Sequence, residues 1–500
     1  MTELQVGGTV ELEHQVSVFA ADVTGTAGEV TPGPAPGTPA RDAAPVGLGE
    51  VLAEQAVPER GAEVLGGRAE RAGLVRRLEI PLGELAPQPG AGRPRVELTV
   101  PAPDDDEAQA VLEVDEYGLL RWHFAVDGAD AGAGDRGGAT QTFSIPVNPI
   151  ELDGEDGPGE RGLLGLGVRK ALHVVRFPVE FVAGRAARFA AGRWETRHRP
   201  YGLHRASPRY FAGEPDPADR GLFDGGPVLL LIHGTFSVGR SGFAGIGADA
   251  ALLRELSDRY AGRVVVFDHP SVHVDPDENA RILLESLPPD RRTVVDVVAH
   301  SRGGLVARRL AAPEAAGAAR RPPPVVRRMI HVATPNAGTP LAGPEHLGDL
   351  LDVFSNLVTL FTDEGSGAIA SAVIEVVKQV ATGALSGLDG LAAMDPAAPW
   401  LAGLNAAPAD PGTRVAAITC DYDSAGAKVA VRALDFMVDR LFGTGNDLVV
   451  PTAGVYEAGS YLVDDRLDLS GAAPSVAHSG FLGDPRVHGW LADRLPGSRR

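Results

Sequence analysis

The chain has 500 residues, 44% hydrophobic and 22% charged, with a formal net charge of −20. That is the composition of a soluble globular protein of two or three domains, and so acidic a chain excludes nucleic acid as the main partner. The single cysteine, Cys420, excludes an intrachain disulfide; Met1–Gln5 shows no leader pattern, and no run nears about 18 uninterrupted apolar residues, so a cytoplasmic protein without a membrane span is expected.

Residues 1–155 read as a β-rich N-terminal domain. Val10–Ala20, Leu74–Leu82, Arg95–Val100, Ala110–Val114, Gly118–Val126 and Gln141–Val147 are its strand candidates. Gly118–Val126 alternates best, with Leu120, Trp122 and Phe124 on one face and Arg121 and His123 on the other. The Pro/Gly/Ala-rich stretches Gly25–Gly49 and Gly128–Ala139 predict mobile loops. Asp104–Glu107 is a charge run that suits a solvated turn better than a metal site.

Residues 156–220 read as a basic helical linker. Between Arg161 and Arg209 stand eleven basic residues and two acids, Glu180 and Glu195, a net charge of +9. Leu172, Val175, Phe177, Phe181 and Phe189 supply an apolar component, and Pro178 would kink the helix. Such a helix docks on the acidic remainder of the protein or makes peripheral contact with an anionic membrane, and base rates favour the first.

From about Gly221 strands alternate with helices. Pro227–Ile232 and Gly262–Phe267 are buried strands. Asp275, Pro276 and Glu278 form an N-cap, a proline at the first helical position and a capping acid for a helix running to Leu287. Val325–Ala333, Arg414–Thr419 and, as the last strand, Ser460–Val463 follow. This βαβα order predicts an α/β fold, a doubly wound and mostly parallel sheet with helices on both faces.

The β-branched run from Thr293 to Val298 leads through Ala299 and His300 to Ser301, then Arg302, Gly303, Gly304 and a helical pattern from Leu305 to Leu310. Strand, tight turn and helix around a serine make a nucleophile elbow, in which only small residues fit two positions before and after the nucleophile. Ala299 and Gly303 meet that demand, with alanine standing where glycine is usual.

A serine hydroxyl needs an adjacent base, and the base an orienting carboxylate. Asp447, in Asn446-Asp447-Leu448-Val449-Val450-Pro451, and His478, in Ala477-His478-Ser479-Gly480, lie in the chain order serine, acid, histidine. Asp421 and Asp423 compete for the acid, because they directly follow a strand; His488 competes for the base. An oxyanion hole needs two converging N–H groups. Arg302 supplies one, and Thr235, in His233-Gly234-Thr235-Phe236, the other, with Phe236 as runner-up. His233 suits a structural brace, and His300 is too close to the nucleophile to act as base. Asp268, His269, His273, Asp275 and Asp277 are metal-capable, but capping and loop solvation account for them better.

LLLIHGTF, VVAHSRGG, HVATPNAGTPLAG, NDLVVP and AHSGFL, in that order, resemble the α/β-hydrolase superfamily, and most of all its serine lipases and esterases, including bacterial lipases and GPI-inositol-deacylase-like hydrolases. The resemblance covers about residues 221–500. Leu448 stands where the acid loop of that superfamily commonly has glycine. Leu388–Asn405 resembles the stretch that re-enters the core after the lid, and the apolar insertion 343–388 reads as helices that wall an acyl pocket or simply as core. The resemblance implies ester hydrolysis through an acyl-enzyme, on a small-molecule or lipid ester of apolar acyl chain, with no cofactor and no metal. Acyl transfer on the same residues and a non-catalytic binding protein are the rivals; the intact serine, acid and histidine set argues against the second.

Overall fold

The computed structural model describes residues 1–32, 77–88, 94–104, 107–125, 140–147, 168–178, 194–312, 322–361, 366–381, 387–495 and 497. Its N-terminal part is built from β1 (Thr2–Leu4), β2 (Thr9–Leu12), β3 (Val16–Ala21), β4 (Val23–Ala27), β5 (Thr31–Pro32), β6 (Arg77–Pro87), β7 (Arg95–Pro101), β8 (Glu107–Asp115), β9 (Leu120–His123), β10 (Thr140–Pro146) and β11 (Val168–Pro178). One sheet runs β1-β4-β6-β11-β8-β9, with β5 beside β6, and the other runs β10-β7-β3-β2. Alternate residues of the two sheets, among them Leu82, Val111, Leu172 and Val174 against Val18, Val96, Leu98 and Phe143, form one apolar layer between them.

Over 168–178 the expected linker helix is instead a strand. β11 lies in the larger sheet between β6 and β8, antiparallel to both. Val174 and Val175 favour the extended backbone. Leu172 and Val174 face the inter-sheet layer, whereas Val175 and Phe177 face the opposite side. Two of its basic residues, Lys170 and Arg176, are buried within the domain, whereas Arg169 is exposed. Lys170 Nζ donates to Glu113 Oε1 at 2.6 Å, and Arg176 Nε donates to Gln109 Oε1 at 2.7 Å. Burial pushes the Glu113 carboxyl up, but Lys170 and His123 outweigh it and hold it at about 2. Over 168–178 the chain is a strand and not an amphipathic helix; Phe181, Phe189 and their neighbours lie outside the described residues, as do 33–49 and 128–139 of the expected loops. The first residues of the Gly25–Gly49 stretch belong to β4 and β5.

The second part is ordered around a seven-stranded sheet: β12 (Gly202–Arg205), β14 (Val264–Asp268), β13 (Val228–Ile232), β15 (Val294–His300), β16 (Val325–Val332), β17 (Arg414–Thr419) and β20 (Asp465–Asp468). All neighbours are parallel except β12, which is antiparallel to β14. The last strand is therefore β20, not Ser460–Val463; there β18 (Glu457–Ala458) and β19 (Tyr461–Leu462) make a separate hairpin. The helices are α1 (Pro208–Phe211), α2 (Gly239–Gly242), α3 (Ala244–Ala248), α4 (Ala250–Arg259), α5 (Pro276–Ser286), α6 (Gly303–Ala311), α7 (Leu347–Phe361), α8 (Ser366–Ala381), α9 (Asp389–Ala392), α10 (Pro399–Asn405), α11 (Val429–Phe442) and α12 (Pro485–Arg494). β13 is buried along its whole length: Leu229 and Leu231 pack with α4 and α12 on one face, and Val228, Leu230 and Ile232 with α5 and α6 on the other. Continuous burial explains the unbroken VLLLI run. Among the described residues no helix is long and apolar enough to cross a membrane.

α7 and α8 form the helical insertion. Their apolar residues, such as Leu350, Leu357, Val373 and Val377, share one cluster with Ala110, Leu112, Trp122, Val175 and Phe177 from the free face of the larger N-terminal sheet. The insertion is thus covered by the β-sandwich. The edge strand β9 is sealed by polar side chains of α7: the Leu120 N–H donates to Asn356 Oδ1 at 3.0 Å, Asn356 Nδ2 to the Leu120 carbonyl at 2.8 Å, and the Trp122 N–H to Asp352 Oδ1 at 2.6 Å. A sheet edge capped in this way cannot pair with another chain.

Candidate active site

The C-terminal ends of the parallel strands, the place where open α/β sheets bind ligands, bring the expected residues together. Ser301 follows β15 with φ +54, a left-handed backbone that is strained for a residue with a side chain. The tightness of the turn is measured at Gly303, where an added Cβ would lie 2.4 Å from the Ile232 carbonyl oxygen. Opposite, a Cβ on Gly234 would lie 2.6 Å from that of Ser301, so only glycine lets the loop after β13 come this close.

His478 follows β20, and Asp447 lies in the loop after α11. His478 Nε2 is 3.0 Å from Ser301 Oγ, and His478 Nδ1 is 2.9 Å from Asp447 Oδ2. The other oxygen of Asp447 accepts the N–H groups of Val449 and Val450 at 3.0 and 2.8 Å. The two loops are also joined through backbone, His478 N–H to the Asp447 carbonyl at 2.9 Å. All three side chains are buried, Ser301 at 4%, Asp447 at 2% and His478 at 3% exposure.

The competitors are engaged elsewhere. Asp421 Oδ1 accepts the Asn446 N–H at 3.0 Å and so holds the acid loop from behind, while Asp423 Oδ1 accepts the Ala425 N–H at 2.8 Å. His488 bridges Asp249 Oδ2 at 3.0 Å and the Leu482 carbonyl at 2.7 Å. His233 stacks on His269 with ring centroids 4.1 Å apart, and burial, then the neighbouring His269, push it well below its ordinary pKa. It braces the Gly234 loop as a neutral ring, accepting the His269 N–H at Nε2 and donating from Nδ1 to the Gly234 carbonyl at 2.9 Å. Asp268 accepts from Tyr210 Oη at 2.8 Å and the Gly239 N–H at 2.6 Å, and Asp275 caps α5. Among the described residues no group of three or more His, Cys, Asp or Glu could hold a metal ion.

Thr235 and Phe236 follow Gly234, which sits against Ser301, and Arg302 follows Ser301 itself. Among the described residues no hydrogen bond uses the backbone N–H of any of the three. Phe236 has φ +58 and meets Phe354 of α7 edge-on at 4.7 Å, which brings the insertion directly over the loop.

Two residues at the site have roles that motif reading does not reveal. His300 Nε2 donates to the His478 carbonyl at 3.0 Å. Glu195, from a helical turn at 194–198, accepts the N–H groups of Val272 and His273 at 2.9 Å each and His273 Nδ1 at 2.9 Å, tying down the loop after β14. Its burial among basic neighbours is a tertiary fact with no local signature. Asp352, Ser355 and Asn356, polar residues at helical spacing on the buried side of a largely apolar helix, were the sequence signal for the seal on β9.

Residues 198–496 match the family described as a domain of unknown function, DUF7379. The chain belongs to this family. In sequence this DUF7379 protein matches no curated protein. Among solved structures it is similar to lipase BlEst2 of Bacillus licheniformis in mature form (15% identity, 54% of this chain and 93% of that one, TM-score 0.30). Lipase 1 from Pelosinus fermentans is similar at 14% identity, over 55% of this chain and 99% of that one, with TM-score 0.37. Phospholipase PlaB from Legionella pneumophila is similar at 14% identity, over 55% and 61%, with TM-score 0.32. The DUF7379 region contains the mostly parallel seven-stranded sheet, with Ser301 at the turn after β15.

Proposed function

We propose that this protein is a serine hydrolase of carboxylic esters with apolar acyl chains. The observation that carries the proposal is His478, set between Ser301 at 3.0 Å and Asp447 at 2.9 Å through its two ring nitrogens. In the proposed reaction Ser301 Oγ attacks the ester carbonyl carbon as its proton passes to His478 Nε2. The negative charge on the carbonyl oxygen is met by the N–H groups of Thr235 and Arg302. The intermediate collapses, the leaving alcohol takes the proton from His478, and water repeats the sequence to free the acid and Ser301. Asp447 keeps the proton on Nδ1, so that Nε2 faces the serine as a base. The apolar surroundings, with Phe236, Phe354, Leu391, Met394, Leu448 and Val449 in one cluster, support an acyl chain rather than a polar group.

A fluorophosphonate probe, followed by mass mapping of the labelled peptide, tests the assignment. Labelling at Ser301 is expected, and S301A should lose ester hydrolysis by several orders of magnitude. Full activity in S301A would overturn it. Specificity should rise with acyl length, by up to about 0.8 kcal/mol per buried CH₂; a flat profile points to a small polar ester instead.

A further inference from the structure

Arg302 has the largest wholly buried side chain among the described residues. A guanidinium taken out of water is costly unless its donors find partners. Nε donates to the Gly390 carbonyl at 2.8 Å, Nη1 to Asn279 Oδ1 at 3.0 Å, and Nη2 to the Val274 carbonyl. None of these acceptors is a carboxylate; Glu195 and Asp275 favour the charge only from a distance, so no direct ion pair holds the arginine. The acceptors come from three separate elements: α9, α5 and the loop after β14. Only the planar fork of arginine reaches all three from one side chain.

α9 opens the segment that returns from the helical insertion. The Gly390 N–H donates to the Val272 carbonyl at 3.0 Å, which stitches that segment to the loop after β14. Four residues on, Met394 Sδ accepts the Thr235 hydroxyl at 3.6 Å. The two residues whose N–H groups face the oxyanion in the proposed reaction are therefore both tied by their side chains to one stretch, 390–394.

We propose that Arg302 is a positioning residue, whose guanidinium pins α9 and the β14 loop so that the N–H groups of Arg302 and Thr235 hold the spacing an oxyanion requires. This rests on the hydrolase reading above. Donors of this kind act only if they are in place before charge develops, and a displacement of an ångström can cost about a hundredfold in rate.

The test compares R302M, R302K and T235V with the parent on a p-nitrophenyl ester, with active sites counted by fluorophosphonate labelling. The same proteins are titrated with a trifluoromethyl ketone, whose serine adduct carries an oxyanion. R302M is expected to lose about ten- to a hundredfold in kcat per labelled site with KM within about threefold, and to lose ketone affinity by a similar factor. R302K, which reaches fewer acceptors, should fall in between. T235V keeps the Arg302 packing and removes only the hydroxyl tie; it should lose kcat and ketone affinity together, whether or not R302M folds. If kcat per labelled site and ketone affinity are unchanged in R302M, or in T235V where R302M does not fold, the positioning role is overturned. A parent that does not label at Ser301 overturns the hydrolase reading instead.

Discussion

His300 Nε2 donates to the main-chain carbonyl of His478 at 3.0 Å, so the residue before the proposed nucleophile braces the residue that would deprotonate it. Burial and the nearby His478 push the His300 imidazole down to about 4, which keeps it a neutral donor. H300L leaves that carbonyl without its partner, a loss of about 1–3 kcal/mol in stability. With the imidazole less firmly held, kcat should fall about tenfold while KM stays near the parent value. H300Q, whose amide can still donate, should keep most of the activity. Equal kinetics for the two variants would contradict the brace.

Glu195 carries a pH dependence whose sign can be worked out. Burial alone would raise its carboxyl, but the bonds to His273 outweigh burial and hold it at about 2, against an ordinary 4.5. A depressed folded-state pKa gives stability that is fully present above about 4.5 and is lost as pH falls toward 2. The amount is roughly 3 kcal/mol. Urea unfolding of E195Q beside the parent should show a deficit at pH 7 that narrows on acidification. A deficit that is constant with pH would remove the carboxylate from this role.

Leu448 sits at φ +79 in the acid loop and is wholly buried. The positive φ is the physical reason that glycine is common at such a position. Glycine would relieve about 1–2 kcal/mol of backbone strain. It would also empty a buried leucine site, which costs about 2–5 kcal/mol, and add the entropy of a freer chain. The second effect is larger, so L448G should be destabilised by about 1–3 kcal/mol in denaturant melts. A stabilised L448G would mean that strain dominates the loop.

The seal between sandwich and insertion should be measurable residue by residue. N356L leaves the Leu120 N–H and carbonyl unpaired, at about 1–3 kcal/mol each. D352N keeps the acceptor for Trp122 and should cost little near neutral pH. Burial pushes the Asp352 carboxyl well above its ordinary 3.8, so the folded state favours the protonated acid and loses stability as pH rises above the ordinary range. D352N removes that alkaline penalty, and its melting temperature should overtake the parent's as pH increases. Parallel curves for the two proteins would show that Asp352 does not titrate in the seal.

The proposed site was legible because its chemistry is local: Ser301 in a strand–turn–helix, Asp447 in a tight polar loop, His478 after the last strand. The sheet was legible where burial is continuous, as in β13. β11 was not, because it is apolar on both faces, with Leu172 and Val174 on one and Val175 and Phe177 on the other. Period-two alternation vanishes in such a strand, and scattered arginines then imitate an amphipathic helix. β20, sequence DRLD, escaped for the opposite reason: it is an edge strand with one apolar residue, Leu467, and the more apolar Ser460–Val463 drew the assignment.

The larger sheet of the sandwich has two dry faces, one against its partner sheet and one against α7 and α8. A gene fragment encoding only 198–496, the span that defines the family match, would release α7 and α8 with their apolar side uncovered. A fragment ending before residue 198 would release β9 with an open edge, ready to pair with another copy. Each half is expected to self-associate when expressed alone, and size-exclusion chromatography would show it; two monomeric fragments would contradict the expectation. The span drawn by family similarity is therefore smaller than the span that buries these faces.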